Sequence, residues 1–275
     1  MPTSIPMTTM SLLVVVALLV GVIIGMVGIG GVILPPALIL IGGVEPHQAT
    51  AISLISFTLT GVVSVVLHLR AGAIPGVLTR RLAVGLLPGA FIGGWLSGRI
   101  PDVIILGALS GVCLASALWT IARTRRPARH DGHRDDRDDR DDRDDRDDLG
   151  AAVAGPVGLA VGFGSAVTGT SGPVLLTPVL MAFRLPTWRV IVVGQVIQVL
   201  VTPAGALGYL ARARPDLGLT AVLGAATAAG TVAGIWGLRR LRPPEAFLRD
   251  LVTVLLAATG ALIAIRLGQE LPKLP

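Results

Sequence analysis

Eight long apolar runs fill most of this 275-residue chain and constrain its fold more than any other feature. A run of about 18 or more apolar residues is typical of a helix that crosses the ~30 Å hydrocarbon core of a bilayer. Charge or proline marks each segment between the runs, as expected for turns at headgroup level. The runs lie at about residues 11–41, 48–69, 82–98, 103–122, 150–183, 190–210, 217–238 and 246–265. The pattern predicts an all-α integral membrane protein in contact with the lipid bilayer.

The charged residues are few and unevenly distributed. Only 15% of the chain is charged, against about 25% in soluble domains, which excludes an ordinary cytosolic globular protein. Residues 123–148 hold nine Arg and eleven Asp, half of all the charges. The pI near 11.0 does not indicate nucleic-acid binding, because the basic residues punctuate apolar runs and form no patch with aromatic residues.

The chain is an internal duplication. At a constant offset of 141 residues, without gaps, Gly28 matches Gly169 and Trp95 matches Trp236. Five Arg-Asp-Asp triplets at 134–148 contain no apolar residue, so they predict a solvated linker at the seam. We therefore divide the chain into a first membrane repeat at 1–122, a charged linker at 123–149 and a second membrane repeat at 150–275.

Each repeat opens with an apolar run that is too long for one simple span and is broken by glycines. The breaks fall at 25–31 and 162–173, and prolines follow both. Irregular backbone is tolerated at membrane depth only where protein or a water-filled cavity surrounds it. We expect each run to be two half-helices that meet at an irregular turn.

The distribution of basic residues favours re-entrant hairpins over full crossings. If both broken runs re-enter, 18 basic residues lie on one side of the membrane and five on the other; full crossing gives 16 and seven. Cytoplasmic loops are the ones enriched in Lys and Arg. We therefore predict inverted repeats, each with a re-entrant pair and three transmembrane helices. The linker is then cytoplasmic and both termini lie outside, and the first run, which lacks a basic signal-peptide flank, stays in the mature protein.

The ionisable residues offer no catalytic constellation at membrane depth. Outside the linker the six acidic residues fall at predicted boundaries, and the chain has one cysteine, Cys113, and four histidines. Metal sites and nucleophile-base pairs need clusters of such groups. We expect no enzyme activity, no metal and no cofactor.

Neutral polar groups at the glycine breaks are the candidate binding site. Helices that begin inside the membrane direct backbone N–H groups and positive dipole ends to a shared centre, which favours an anion. Gln195 and Gln198 could add amide donors or could only bridge helices, whereas Gly85, Gly89 and Gly93 are typical of close helix packing. The candidate substrate-binding residues are Gly28, Gly30, Gly31, Pro35, Thr168, Gly169, Thr170, Ser171, Gly172, Gln195 and Gln198.

The break motifs resemble those of the sulfite exporter TauE/SafE family. The resemblance rests on GIGGVILPPAL at 28–38, GTSGPVLLTPVL at 169–180 and the two-half arrangement, and it covers nearly all of the chain except the linker. Val32 stands where a third glycine is common in the family, and Thr170-Ser171 where Ile/Val-Gly is common. The resemblance implies an inner-membrane permease for sulfite, sulfonates or related sulfur-containing anions.

The sequence thus predicts a secondary permease for a small oxyanion. A cation or metal permease and a non-transporting membrane scaffold are the alternatives. The anion, the direction of transport, the coupling ion and the oligomeric state stay open.

Overall fold

Every continuous element in the described part of the chain is a helix. The computed structural model describes residues 6–28, 30–69, 76–97, 150–182, 187–210 and 214–241, with single positions elsewhere, mainly between 99 and 122 and between 250 and 268. The helices are α1 (Met7–Val27), α2 (Leu34–Leu40), α3 (Pro46–Leu69), α4 (Gly76–Ser97), α5 (Ala151–Thr168), α6 (Pro173–Ala182), α7 (Thr187–Leu210) and α8 (Leu217–Leu241). The predicted linker, 123–149, lies outside the described residues.

Five of these helices, α1, α3, α4, α7 and α8, are long and apolar enough to cross a membrane. The predicted runs at 103–122 and 246–265 are described only at scattered positions, which are helical. Their helices touch where the Ser110 hydroxyl donates to the Gly260 carbonyl at 2.9 Å. The all-helical membrane fold predicted from hydropathy is confirmed for the described residues.

Local chemistry explains where several helices begin and end. Gly28 ends α1 and Gly169 ends α5, each in the left-handed backbone region, with φ of 78° and 68°. Glycine adopts this conformation without a Cβ clash, so it is the common residue after a helix C-terminus. Asp216 begins α8, since its Oδ1 accepts the N–H groups of Gly218 and Leu219 at 2.8 and 3.1 Å.

Three predicted boundaries are wrong. The breaks are shorter than expected, because α1 continues through Gly25 and α5 continues through Gly162. The two arms of each run are therefore unequal, with 21 and 7 residues in the first repeat and 18 and 10 in the second. A helix also begins at Gly76, so Arg80 and Arg81 lie in α4 and not in the preceding loop.

Gly25 and Gly162 stay helical because they let helices pack backbone to backbone. A Cβ on Gly25 would lie 2.9 Å from the Ile235 backbone N, and one on Gly162 would lie 3.0 Å from the Ala90 N. Such contacts offset the ~1 kcal/mol that glycine costs in a helix interior. The predicted packing role of Gly85, Gly89 and Gly93 is confirmed, since each faces the α5 backbone.

The packing recurs at the 141-residue offset. Helix α1 packs on α8 as α5 packs on α4. A Cβ on Gly230 would approach the backbone of Leu18, and one on Gly89 would approach Leu159, which is the residue 141 positions after Leu18. The two main core clusters repeat in the same way: one joins α1, α2 and α3 to α8, and the other joins α5, α6 and α7 to α4. Helices α3 and α7 belong to different clusters and contact each other.

Candidate functional site

Each glycine break turns the chain back along the helix that precedes it. After α2, Gly42 lies beside α1, with Leu13 Cδ1 3.3 Å from the position of an added Cβ. In the second repeat Gly164 of α5 faces Leu175 of α6 in the same manner, at 2.9 Å. Both broken runs are therefore helical hairpins, as the sequence predicts.

The tips of the two hairpins touch each other. Gly31, in the first break, lies against Ser171, in the second. A Cβ on Gly31 would lie 2.9 Å from the Ser171 backbone N and still closer to the Ser171 side chain. Since no side chain larger than hydrogen fits there, the close approach accounts for glycine at position 31.

Helix α7 runs along both breaks and forms one wall of the site. An added Cβ on Gly28 would be 3.6 Å from Gln195 Cγ, and one on Gly172 would be 3.7 Å from Val201. Gly194, the residue before Gln195, lies against Pro173, the first residue of α6, with 3.1 Å between Pro173 Cβ and the position of an added Cβ. Residues 194, 195, 198 and 201 share one face of α7, which therefore links the two breaks.

Gln195 and Gln198 bind helix backbones with their amide nitrogens. Gln195 Nε2 donates to the Ile24 carbonyl at 3.1 Å, and Gln198 Nε2 donates to the Phe57 carbonyl at 3.1 Å. A carbonyl can only accept, so it fixes which end of each amide faces it. Both side chains are buried, and Gln195 Oε1 and Gln198 Oε1 have no hydrogen-bond partner among the described residues. The helix-bridging role is thus observed, and each amide keeps one free N–H and one free acceptor.

Three hydroxyl groups of the second break differ in their partners. Thr168 Oγ1 donates to the Gly164 carbonyl at 2.7 Å and lies 3.2 Å from Thr170 Oγ1. Ser171 Oγ is buried and has no partner in the described part of the chain. Only Ser171 therefore keeps its full hydrogen-bonding capacity for a ligand.

Backbone donors are also free at the point where the breaks meet. In the described chain, the N–H groups of Gly31, Val32, Ser171 and Gly172 donate to no backbone or side-chain acceptor. The last two lie at the N-terminus of the ten-residue helix α6. Helix N-termini carry a partial positive charge and favour anions.

Two predicted site residues lie at the margin of this arrangement. An added Cβ on Gly30 would meet its own hairpin arm, 2.7 Å from both Ile24 Cγ1 and the Val20 carbonyl. Pro35 is buried in the first turn of α2, where its missing N–H removes a donor. These residues belong to the first hairpin, and the contacts of Gly30 stay within the first repeat.

Sequence reasoning missed three residues at the second break. Thr50 of α3 packs on Gly169, with its Cγ2 2.7 Å from the position of an added Cβ. Ser165 Oγ is buried without a partner in the described chain, one turn before the break. Tyr209, the only tyrosine, is buried and donates to the Val167 carbonyl at 3.1 Å. The 141-residue offset pairs Thr50 with Ile191, whose Cγ2 lies 3.8 Å from an added Cβ on Gly28, so both residues of the pair contact a break glycine.

The site is neutral where the structure describes it. The residues at 28, 30–34, 168–174, 195 and 198 carry no ionisable side chain. No group of three or more His, Cys, Asp or Glu that could hold a metal ion occurs among the described residues. Binding here would depend on backbone N–H groups, hydroxyls and amides.

Comparison with known proteins gives one match. The family model described as sulfite exporter TauE/SafE matches residues 13–263, which include both breaks and α1 to α8 apart from the first turn or two of α1. Neither a curated protein nor a solved structure matches the chain. The match confirms the resemblance that the break motifs carry.

Proposed function

Because the chain belongs to the sulfite exporter TauE/SafE family, a family of membrane transporters, we propose that it is a secondary permease for a small oxyanion such as sulfite or an organosulfonate. The chain is a multi-pass membrane protein, and its family favours transport over a scaffold role. The proposed binding site lies where the two hairpin tips meet.

The contact between Gly31 and Ser171 is the observation that carries the proposal. It brings free backbone N–H groups from both repeats to one place, together with the free Ser171 hydroxyl. Oriented donors in a neutral, buried setting can hold an anion without a buried cation, whose insertion would cost about 2.5–3.5 kcal/mol. Pre-positioned donors also require little reorganisation free energy when the anion binds.

Inverted repeats are the arrangement that we propose for transport. Gln198 donates to Phe57, which is its own counterpart at the 141-residue offset, so this bond lies on the axis that would exchange the repeats. The contact of Thr58 with Thr202 and that of Gly61 with Val199 are likewise exchanged by the offset. We propose that the halves rock about this α3–α7 contact and expose the site to each side in turn.

The ends of α4 and α8 carry equivalent Trp–Arg pairs. Arg99 stacks on Trp95 at 4.3 Å and Arg240 on Trp236 at 5.1 Å, at positions related by the offset. Trp and Arg are common at membrane interfaces. In the proposed topology, with six crossings and two re-entrant hairpins, one pair lies at each surface, the linker is cytoplasmic and both termini are outside.

Cysteine labelling tests this topology. Cys113→Ser provides a background in which single cysteines are introduced by Gly132→Cys in the linker and by Ser4→Cys near the N-terminus. In intact spheroplasts of the inner membrane, a membrane-impermeant maleimide should label position 4 and should label position 132 only after lysis. Labelling of position 132 before lysis would reject the topology and leave the transport proposal intact.

Counterflow in proteoliposomes tests the transport proposal. The full chain should give saturable sulfite counterflow above that of protein-free vesicles. Ser171→Ala removes a hydroxyl that has no protein partner in the described chain, so it should leave thermal stability unchanged and lower the flux about tenfold, the effect of one lost hydrogen bond to a charged ligand. Ser53→Ala is the matched control, since the buried Ser53 hydroxyl donates to the backbone carbonyl of Ala49 at 2.8 Å. Normal insertion without flux of any oxyanion would reject the permease.

A further inference from the structure

Two buried carbonyl oxygens, Gln195 Oε1 and Gln198 Oε1, belong to α7, the helix that runs along both breaks. The side chains are 1% and 0% exposed, and neither oxygen has a partner among the described residues. The orientation of each amide is set from outside the site, because the Ile24 and Phe57 carbonyls accept from the Nε2 atoms. A 180° rotation of either amide would place its Oε1 against a backbone carbonyl oxygen, so the amide cannot offer its Nε2 in place of Oε1.

An unmet buried acceptor is costly, and it is satisfied only by a donor. Burying a polar group without a partner costs about 1–3 kcal/mol. An oxyanion that has lost all its protons offers only acceptors, so it would leave both amide oxygens unpaired or repelled. An oxyanion that keeps one O–H offers the missing donor.

Gln195 and Ser171 contact the first break at two points that lie within about 10 Å of each other. Gln195 packs on Gly28, while Ser171 packs on Gly31, three residues further along the same break. Three residues of extended chain span at most about 10 Å. Gln198 lies one turn of α7 beyond Gln195, which is about 4.5 Å along the helix.

The charge of the surroundings points the same way. No ionised side chain belongs to the break segments or to the described parts of α1, α2, α5 and α6. A second negative charge would be desolvated without a countercharge, and the cost of burying charge rises steeply when it is unpaired. The site is therefore suited to a monoanion.

We propose that this permease selects oxyanions in their singly charged, O–H-bearing form, which for sulfite means hydrogensulfite and not the dianion. The inference rests on the proposed function and adds the protonation state of its substrate. The N–H groups of Ser171 and Gly172 and the Ser171 hydroxyl bind the charged oxygens, and the substrate O–H donates to Gln195 Oε1 or Gln198 Oε1. The proton then crosses on the substrate, so transport needs no carboxylate relay through the protein.

The histidines and the tyrosine of the surrounding helices contact backbone carbonyls. His47 Nε2 lies 2.8 Å from the Ser97 carbonyl, His68 Nδ1 lies 2.7 Å from the Ser64 carbonyl, and the Tyr209 hydroxyl donates to Val167. Glu45 is exposed before α3, and Arg189 stands in the first turn of α7, six residues before Gln195. The pH dependence of transport should therefore follow the substrate.

The test uses the full chain in proteoliposomes with equal pH on both sides and a fixed total concentration of sulfite. Sulfite and hydrogensulfite interconvert near neutral pH. The initial counterflow rate, corrected with protein-free vesicles, should fall as pH rises, in proportion to the hydrogensulfite fraction. Methanesulfonate, a monoanion without an O–H, should be carried at a low rate that does not change over this range. Sulfite flux that is constant or rises with pH would overturn the inference while leaving oxyanion transport established. A requirement of the flux for sodium ions would also overturn it, because a cation would then satisfy the amide oxygens in place of a substrate O–H.

Amide variants provide the second measurement. Gln195→Met and Gln198→Met keep similar volume and remove the acceptor. The variant that removes the acceptor used by the substrate O–H should reduce the preference for hydrogensulfite over methanesulfonate about tenfold, the equivalent of about 1.4 kcal/mol, and the double variant should reduce it by at least as much. Thr202→Val, on the same helix, should keep the wild-type preference. A preference unchanged in the double variant would overturn the assignment.

Discussion

Gly31→Ala is the substitution that tests most sharply whether the two hairpin tips meet. Gly31 is outside the left-handed backbone region, unlike Gly28, Gly169 and Gly172, so alanine adds no backbone strain there. What alanine adds is one methyl group at the contact with Ser171. Any effect should therefore report the contact between the repeats.

The structure sets the size of the effect. The new Cβ would lie 2.9 Å from the Ser171 backbone N and closer to the Ser171 Cβ, whereas carbon contacts are comfortable at about 3.5–4.0 Å. Ser171 Cβ is fixed by the backbone, so the two breaks must separate. Overpacking of this kind costs about 1–3 kcal/mol, which for a chain of this size lowers Tm by about 2 to 10 °C.

A double-mutant cycle isolates the contact. Ser171→Gly removes the Cβ and Oγ that the new methyl group would strike, so Gly31→Ala should destabilise the Ser171→Gly protein by much less than it destabilises wild type. The coupling should be about 1 kcal/mol or more, as for residues in contact. The assay is thermal unfolding of the helical circular dichroism signal in detergent, with sulfite counterflow measured on the same preparations. Additive effects of the two substitutions would refute the contact.

Two further predictions concern packing. Gly230→Ala would place a Cβ 2.9 Å from the Val22 backbone N and should lower Tm. Gly237→Ala is the control on the same helix: its Cβ would meet nothing within 4 Å, so Tm should stay unchanged or rise. Equal shifts of Tm in the two variants would contradict the helix contact. Tyr209→Phe removes the buried bond to the Val167 carbonyl and should cost about 0.5–1.5 kcal/mol in thermal unfolding, so an unchanged Tm would show that the bond does not hold the end of α5.

The sequence predicts those features of the fold that depend on local backbone chemistry or on the duplication. Gly28 and Gly169 could be recognised as break residues because a left-handed backbone after a helix favours glycine. The packing roles of Gly85, Gly89 and Gly93 follow from helical spacing. The 141-residue offset, which is read from the sequence alone, relates helix contacts that recur in the two repeats of the structure.

Features that depend on tertiary neighbours were not predictable. Gly25 and Gly162 remain helical because a facing backbone compensates for their flexibility, and spacing alone does not reveal that backbone. The orientation of the Gln195 amide depends on the Ile24 carbonyl, 171 residues away in sequence. Likewise, no local signal distinguishes Gly31, which touches the second break, from Gly30, which packs on its own hairpin.

The most direct measurement of the central claim is sulfite-dependent thermal stabilisation of the purified protein at slightly acidic pH. A ligand that binds the folded state raises its stability by about 2.7 kcal/mol at a hundred times Kd. Wild type and Thr202→Val should show the same rise in Tm with sulfite, against chloride at equal ionic strength. Ser171→Ala should need about tenfold more sulfite for that rise, because the hydroxyl has no partner in the described chain and is proposed to bond the ligand. Equal sulfite dependence in Ser171→Ala and wild type would contradict a binding site at the paired glycine breaks.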